Sequence, residues 1–427
     1  MSGPIVVLST LSTSLERELA ARGRAVIVLV PRAVVHERAR PDCAVRGVDR
    51  WDDYTELARL AADLERQGVV AVATTDERCL RAAAFLRAVL GLPGLGFDDA
   101  VAFTDKAVMK ARLRAHGVAV AEGEVVHAVD DLPDVAARLG WPLLVKPRSG
   151  FSAISTHVIR DPGHLAQLQA DGVLRRAPSI GTRHPALSAT DGLGPLGSSP
   201  RGFLTEACVD VDVEFQCELL RRGGEEVYCL PFRYSAPLLE AGDRVGAAHI
   251  GSSSEDARRV RDITRSAADA LGLRDGFAHA EVFRLRDGTW LLGEIGARPG
   301  GAQTPRIMAL QHGIDVVAQA ADLVEGITTP LAVEEAEQST AWVSIPAPTG
   351  IVTAMTPVEE LRALPGVVDV VMEIAVGDTS TGPLGSLAHA GYVFCAAATT
   401  ERALALAASA AASCVIETTG SEVTAHA

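Results

Sequence analysis

The first hundred residues alternate short apolar runs with amphipathic stretches. Residues 5–9 read as a strand, 14–22 as a helix closed by Gly23, and 25–30 as a second strand. Residues 54–67, 69–73 and 77–90 continue the alternation, which predicts a small open parallel sheet covered by helices. The first turn, Ser9-Thr10-Leu11-Ser12-Thr13-Ser14, lacks the GxGxxG spacing that lets backbone approach a pyrophosphate, so no dinucleotide site is expected there.

A new pattern begins at Thr104-Asp105-Lys106-Ala107, where Thr104 is the expected helix cap and Gly117 the stop. Strand-like residues 124–127 and 142–146 flank a helical stretch over 132–139. Gly, Ser and Pro break all periodicity between 177 and 202, which predicts a mobile surface loop. Strands over 202–206, 213–220 and 226–234 follow, then a helix over 254–271 capped by Ser254. The last ninety residues carry strands at 341–345, 367–373 and 391–397 and an Ala-rich helix at 400–412 begun by Thr400. The whole reads as α/β or α+β.

The strongest chemical signal lies in residues 277–286 and 289–298. Asp287-Gly288 between alternating positions signals a hairpin, and a symmetric loop there sets Glu281 opposite Glu294. Directly paired Cβ atoms lie about 4.5–5.5 Å apart, so two carboxylates there repel unless a cation sits between them. Hard oxygen ligands suit Mg²⁺, which takes one or two carboxylates and completes its shell with water and phosphates. By strand alternation His279, Glu281 and Phe283 share a face with Leu292, Glu294, Gly296 and Arg298, and Arg298 lies roughly 13 Å along the strand from Glu294. Gly300 and Gly301 would let backbone approach a ligand closely.

Two weaker patterns precede the hairpin. Lys146 ends a strand and leads into Pro147-Arg148-Ser149-Gly150-Phe151-Ser152-Ala153-Ile154-Ser155, whose N–H groups and hydroxyls can turn onto phosphate oxygens beside the lysine. Glu206-Ala207-Cys208-Val209 is a strand end with backbone donors and acceptors suited to an adenine edge, and Glu214 follows eight residues after Glu206. Each alone also fits an ordinary surface turn or sheet edge. Their order along the chain joins them.

Composition narrows the class. A chain of 427 residues implies two or three domains, and 48% hydrophobic with 22% charged residues describes a globular protein. The net charge of −14 argues against nucleic acid and anionic membrane as partners. Seven cysteines with no CxxC spacing suit reduced thiols. The start lacks a basic leader, and no charge-free stretch of 18 apolar residues occurs, so a soluble cytoplasmic protein is expected.

The ordered set Asp105-Lys106, Val145-Lys146-Pro147 with its small-residue loop, Thr205-Glu206 to Val209, Glu214, Ala280-Glu281-Val282 and Gly293-Glu294-Ile295-Gly296-Ala297-Arg298-Pro299-Gly300-Gly301 resembles the ATP-grasp superfamily, and within it the L-amino acid (dipeptide) ligases. The resemblance implies a Rossmann-like domain over 1–103, the grasp over 104–330 and a C-terminal α/β lobe over 331–427. It implies ATP and Mg²⁺, with Mn²⁺ as an alternative, small-molecule carboxylate and amine substrates, and room for a homodimer. Lys106 and Lys146 would contact phosphates, Ser149, Gly150, Ser152 and Ser155 would close over them, and Glu206, Ala207, Cys208 and Val209 would hold adenine. Glu214 would bind ribose, Glu281 and Glu294 the metal, and Arg298 the acyl-phosphate or tetrahedral adduct. His279, Gly300, Gly301 and Arg306 are further candidates for the substrate site, His279 as a base. Gly296 stands where the family often has Asn, and the phosphate loop has fewer glycines than usual. An ATP-grasp carboxylase of the biotin-carboxylase type, and an ATP-binding protein without catalysis, are the competing readings.

Overall fold

The computed structural model describes residues 3–176, 185–187, 189, 194–334, 336–382 and 389–419. The N-terminal residues build a parallel four-stranded sheet from β1 (Ile5–Leu8), β2 (Val26–Pro31), β3 (Cys43–Val48) and β4 (Ala71–Ala73), in the order β3-β2-β1-β4. Strands β1 and β2 are buried on both faces, as a parallel sheet between helices requires. Strand β3 has no clear alternation in the sequence, and it occupies an edge.

A small antiparallel sheet follows, of β5 (Gly123–Val126), β6 (Leu143–Pro147), β7 (His157–Ile159) and β8 (Phe203–Ala207), ordered β5-β8-β6-β7. The helix expected to open at Thr104 is Lys106–Ala115, and a separate helix, Phe97–Thr104, precedes it. Thr104 ends the helix Phe97–Thr104, with its hydroxyl donating to the Ala100 carbonyl, and Asp105 caps the next helix, Lys106–Ala115, by accepting from the N–H groups of Ala107 and Val108. Asp wins because its carboxylate reaches two free donors and favours the positive helix end.

The large sheet contains β9 (Val211–Arg222), β10 (Glu225–Tyr234), β11 (Gly246–His249), β12 (Gly276–Leu285), β13 (Trp290–Gly296), β14 (Ser339–Pro346), β16 (Val367–Met372) and β18 (His389–Ala397). Its order is β13-β12-β9-β10-β11-β14-β18-β16, so strands from the last ninety residues extend the same sheet. A three-stranded sheet, β17-β15-β19, joins β15 (Thr349–Met355), β17 (Thr379–Thr381) and β19 (Ile416–Thr419). The helix Thr400–Ala412 packs its alanines on β14 and β18, and its cap is Thr399, one residue before the expected position.

Part of the segment expected as a mobile surface loop is docked. Residues 177–184, 188 and 190–193 lie outside the described residues, but Pro185–Leu187 form a 3-10 turn whose Ala186 and Leu187 are buried. Ala186 belongs to an apolar cluster with β1 and β2, and the Ala189 carbonyl accepts from Trp51 N–H at 3.2 Å. Composition hid this contact because two or three small apolar residues suffice for it. Among the described residues no helix is long and apolar enough to cross a membrane. All seven cysteines are free thiols.

Candidate active site

Strand β9 sorts its side chains cleanly. Val213, Phe215, Cys217 and Leu219 join the apolar cluster under the helix Glu255–Ala270, whereas Glu214, Gln216 and Glu218 point the other way and are buried nevertheless. Three buried polar groups at period two mark the second face as a cleft floor, because such groups lose water without gain unless something pairs with them. A register row crosses this face from His249 through Phe232, Gln216 and Glu281 to Glu294.

Glu281 pairs directly with Glu294, as the hairpin pattern predicts. The route differs. The loop is three residues long, with Leu285 N–H donating to the Thr289 carbonyl and Gly288 at φ 86°, and the register slips between Glu281 and Val282. A one-residue error at the turn is cancelled by a bulge at Gly293, where a Cβ would come within 2.4 Å of the Phe283 ring. The bulge turns Leu292 onto the helix-covered face with Val282, both fully buried, so Leu292 does not share the cleft face with Glu294. Each such burial is worth about 1.5–3 kcal/mol, enough to hold the irregular register.

The two carboxylates differ electrostatically. Burial and the neighbouring Glu294 push the Glu281 carboxyl up, while at Glu294 the effect of burial is outweighed by Lys106 and then Lys146, which hold it down. Lys106 Nζ lies 2.6 Å from Glu294 Oε1 and donates to the Gly150 carbonyl at 2.9 Å. A cation is therefore already drawn to the pair. Among the described residues no group of three or more His, Cys, Asp or Glu is arranged to hold a metal ion.

The opposite end of the cleft is cation-rich. Lys146 on β6 and Glu206 on β8 are same-face neighbours, with Leu144 opposite Glu206 and Lys146 opposite Leu204, and Lys146 Nζ lies 2.6 Å from Glu206 Oε2. Lys110, one turn along the helix from Lys106, contacts the other oxygen of Glu206. Burial raises the Glu206 carboxyl, but Lys146 and Lys110 outweigh it and hold the group ionised. Lys110 itself is pushed down to about 8 by burial and by Lys146.

The N-terminal sheet contributes a wall. Glu77, at the start of the turn Glu77–Cys79, accepts from Arg298 Nε at 2.8 Å, and Arg298 also donates to the Pro299 carbonyl. Burial opposes the Arg298 charge, and Glu77, with Glu218 and Glu281, more than restores it. Beside it Arg78 lies 4.8 Å from the Phe151 ring centroid, a cation–π contact that ties the loop after Lys146 to the N-terminal sheet. That loop lacks glycines where the backbone would favour them: Ser152, Ala153 and Ser155 take φ of 53°, 54° and 57°. Such left-handed residues cost about 1–3 kcal/mol each and persist only where surroundings impose them.

Several candidates sit in unexpected roles. Glu206 is enclosed between two lysines instead of facing a ligand alone. The Ala207 and Cys208 N–H groups donate to the Glu122 and Pro142 carbonyls, so these two donors are already engaged by neighbouring backbone. Glu214 is buried, raised well above its ordinary value by burial and by Glu281, and accepts from Leu238 N–H at 2.7 Å. His279 Nδ1 lies 2.6 Å from Glu218 Oε1, and Glu218 Oε2 accepts from Gly300 N–H at 2.9 Å. Gly300 is therefore a close-approach residue for Glu218, and its N–H is withheld from an oxyanion. Gly301 faces open space. Ser149 is buried with its hydroxyl unpaired. Arg306 reaches away to Asp369 on β16 at 2.5 Å and does not join the cleft. Gly296 lies opposite His279, and a Cβ there would sit 3.5 Å from Glu77 Oε2, so Glu77 fills the space beside it.

Sequence reasoning missed Lys110, Glu218 and Glu77. Lys110 had a signal in its i, i+4 spacing from Lys106, and Glu218 in its period of two with Glu214 and Gln216. Glu77 had none, because it arrives from another sheet.

Similarity to known proteins agrees with this geometry. Residues 343–419 match the family described as L-amino acid ligase C-terminal domain 2. The chain is 28% identical over 333 residues to an L-arginine-specific L-amino acid ligase of Bacillus subtilis, covering 78% of this chain and 76% of the relative. A D-alanine–D-alanine ligase of Nitratidesulfovibrio vulgaris is 28% identical over 243 residues, covering 55% of this chain and 72% of that one. Among solved structures, an L-amino acid ligase from Bacillus licheniformis superposes with a TM-score of 0.74 at 19% identity, covering 98% of this chain and 99% of the other. N5-carboxyaminoimidazole ribonucleotide synthetase from Thermotoga maritima gives 0.69 at 18% identity, covering 98% and 100%. The chain has the ATP-grasp fold and resembles the L-amino acid ligases in sequence, in its C-terminal segment and in architecture.

Proposed function

We propose that this protein is an ATP-dependent, ADP-forming ligase that joins the carboxylate of one amino acid to the amine of another. The observation that carries this reading is one cleft with opposed carboxylates, Glu281 and Glu294, at one end and a lysine cluster on Glu206 at the other. Such a cleft suits a polyanion that travels with a divalent cation. The named relatives, both amino acid ligases, point to the same chemistry.

In the proposed reaction a substrate carboxylate oxygen attacks the γ-phosphorus and ADP leaves, giving an acyl-phosphate. The amine nitrogen then attacks the acyl carbon, phosphate departs with the original carboxylate oxygen, and the nitrogen releases a proton. Phosphoryl transfer asks mainly for positioning and charge neutralisation. Lys106 and Lys146 supply charge, Ser149, Gly150, Ser152 and Ser155 cover the phosphates, and Val209 N–H with the Ala207 carbonyl holds the base. Glu214 takes the ribose. Glu281 and Glu294 would hold Mg²⁺, or Mn²⁺, which would supply Lewis-acid polarisation of the phosphate. Lys106 donates to Glu294 and to the Gly150 carbonyl, which leaves one N–H of its ammonium for phosphate. Arg298 stabilises the charge that develops on the acyl group, and Glu77 holds Arg298 in place. His279, held by Glu218 through Nδ1 at 2.6 Å, keeps Nε2 4.0 Å from Glu281 Oε1 and is the candidate base for the amine.

The three-unit division near residues 103 and 330 belongs to this reading, as do a cytoplasmic setting suited to free thiols and a homodimer. ADP release with Mg²⁺ across pairs of amino acids, with products identified by mass, tests the function. ADP formation that needs two amino acids supports it. ADP formation that needs bicarbonate and no amine points to the carboxylating alternative, and nucleotide binding without turnover over the whole panel to a non-catalytic protein.

A further inference from the structure

Lys106 and Lys110 lie one helical turn apart and face the same cleft, where Lys146 meets them from β6. These three ammonium groups share two ion-paired carboxylates, Glu294 with Lys106 and Glu206 with both of the others. The side chains of Lys110 and Glu206 are 4% and 2% exposed, whereas Lys146 keeps 11%, so Lys146 is the most accessible of the three. A lone Glu206–Lys146 pair would be neutral. With Lys110 on one carboxylate oxygen, the cluster carries a net positive charge beside the phosphate loop.

We propose that Lys110 is a positioning residue for nucleotide binding: by occupying one oxygen of Glu206 it stops that carboxylate from neutralising Lys146, which keeps its charge and a free N–H for the triphosphate. This rests on the ligase reading above. Lys110 acts through Lys146, and its own enclosure keeps it from the ligand. The arrangement also explains why a second buried lysine is tolerated next to the first. The unbalanced charge is costly until an anion arrives, and that cost becomes affinity when it does.

Paired variants give a test that a purely structural role does not reproduce. Lys110→Met leaves Glu206 and Lys146 as a closed pair, and ATP affinity measured by calorimetry with Mg²⁺ is expected to fall about tenfold or more, the scale of a charge-assisted hydrogen bond. Adding Glu206→Gln in the same chain releases Lys146 again and is expected to recover affinity to within about threefold of wild type. A double variant that binds as weakly as Lys110→Met, or a single variant that binds as well as wild type, overturns the inference. Wild-type protein that binds no Mg–ATP overturns the ligase reading instead, and this inference with it. A second readout needs only the wild type and a conservative variant. The charged groups acting on Lys110 are Lys146, Glu206 and Glu294, and with its ammonium pushed down to about 8 the wild-type affinity for ATP is expected to hold below that pH and decline above it. An affinity that stays flat to about pH 9.5, or declines equally in Lys110→Arg, contradicts it.

Discussion

The two ends of the cleft are built from the same residue types in opposite proportion. At the hairpin, two carboxylates face one lysine; at the small sheet, two lysines face one carboxylate. Both groups are largely withdrawn from water, where unbalanced charge is expensive and is kept only if a ligand of opposite sign completes it. The difference therefore reads as a polarity: the hairpin end is short of cations and the small-sheet end is short of anions. A nucleotide carried by a divalent cation satisfies both at once.

The sharpest way to break this polarity is at the acidic end. Glu294→Gln keeps the shape of the side chain while removing its charge, and turnover is expected to fall by about a thousandfold or more, with circular dichroism unchanged. Chelation with EDTA is expected to abolish turnover of the wild type and to be reversed by added Mg²⁺. At the basic end, Lys146→Met is expected to raise KM for ATP by about ten- to a hundredfold, with KM for the amino acids little changed. Near-equal effects on ATP and amino acids would erase the distinction between the two ends.

Smaller effects sharpen the comparison. Glu77→Gln loosens Arg298 and is expected to raise KM for an amino acid about tenfold while leaving that for ATP within about twofold, because the Glu77–Arg298 contact of 2.8 Å lies on the N-terminal wall of the cleft. Phe151→Ala removes the contact with Arg78 and is expected to raise KM for ATP only about two- to fivefold, the scale of a weak, half-buried cation–π pair. A larger loss there would mean that the loop depends on Phe151 more than on its own backbone.

Much of this was legible in the sequence because strands encode faces. The opposition of Glu281 and Glu294 follows from alternation and a turn signal, although a three-residue loop and a bulge at Gly293 reach it by a different path. Alternation likewise exposes Glu214, Gln216 and Glu218 as a buried polar row. What crosses between sheets is not legible. Glu77 meets Arg298 across more than two hundred residues, and Ala186 docks on the N-terminal sheet from a stretch whose composition suggests a free loop. Arg306 shows the converse: a candidate for the substrate site, its side chain is claimed by Asp369, 63 residues further along the chain. Local periodicity fixes which way a residue points, and only the assembled sheets decide what it meets.

The acyl-phosphate step can be followed by isotope. An amino acid pair that gives ADP release is supplied with ¹⁸O in both carboxylate oxygens of the acid partner, and the released phosphate is analysed by mass spectrometry. One ¹⁸O atom in inorganic phosphate, with ADP as the nucleotide product, is the expected result. Label in AMP, or amide formed with no label in phosphate, would contradict activation of the carboxylate by the γ-phosphoryl group.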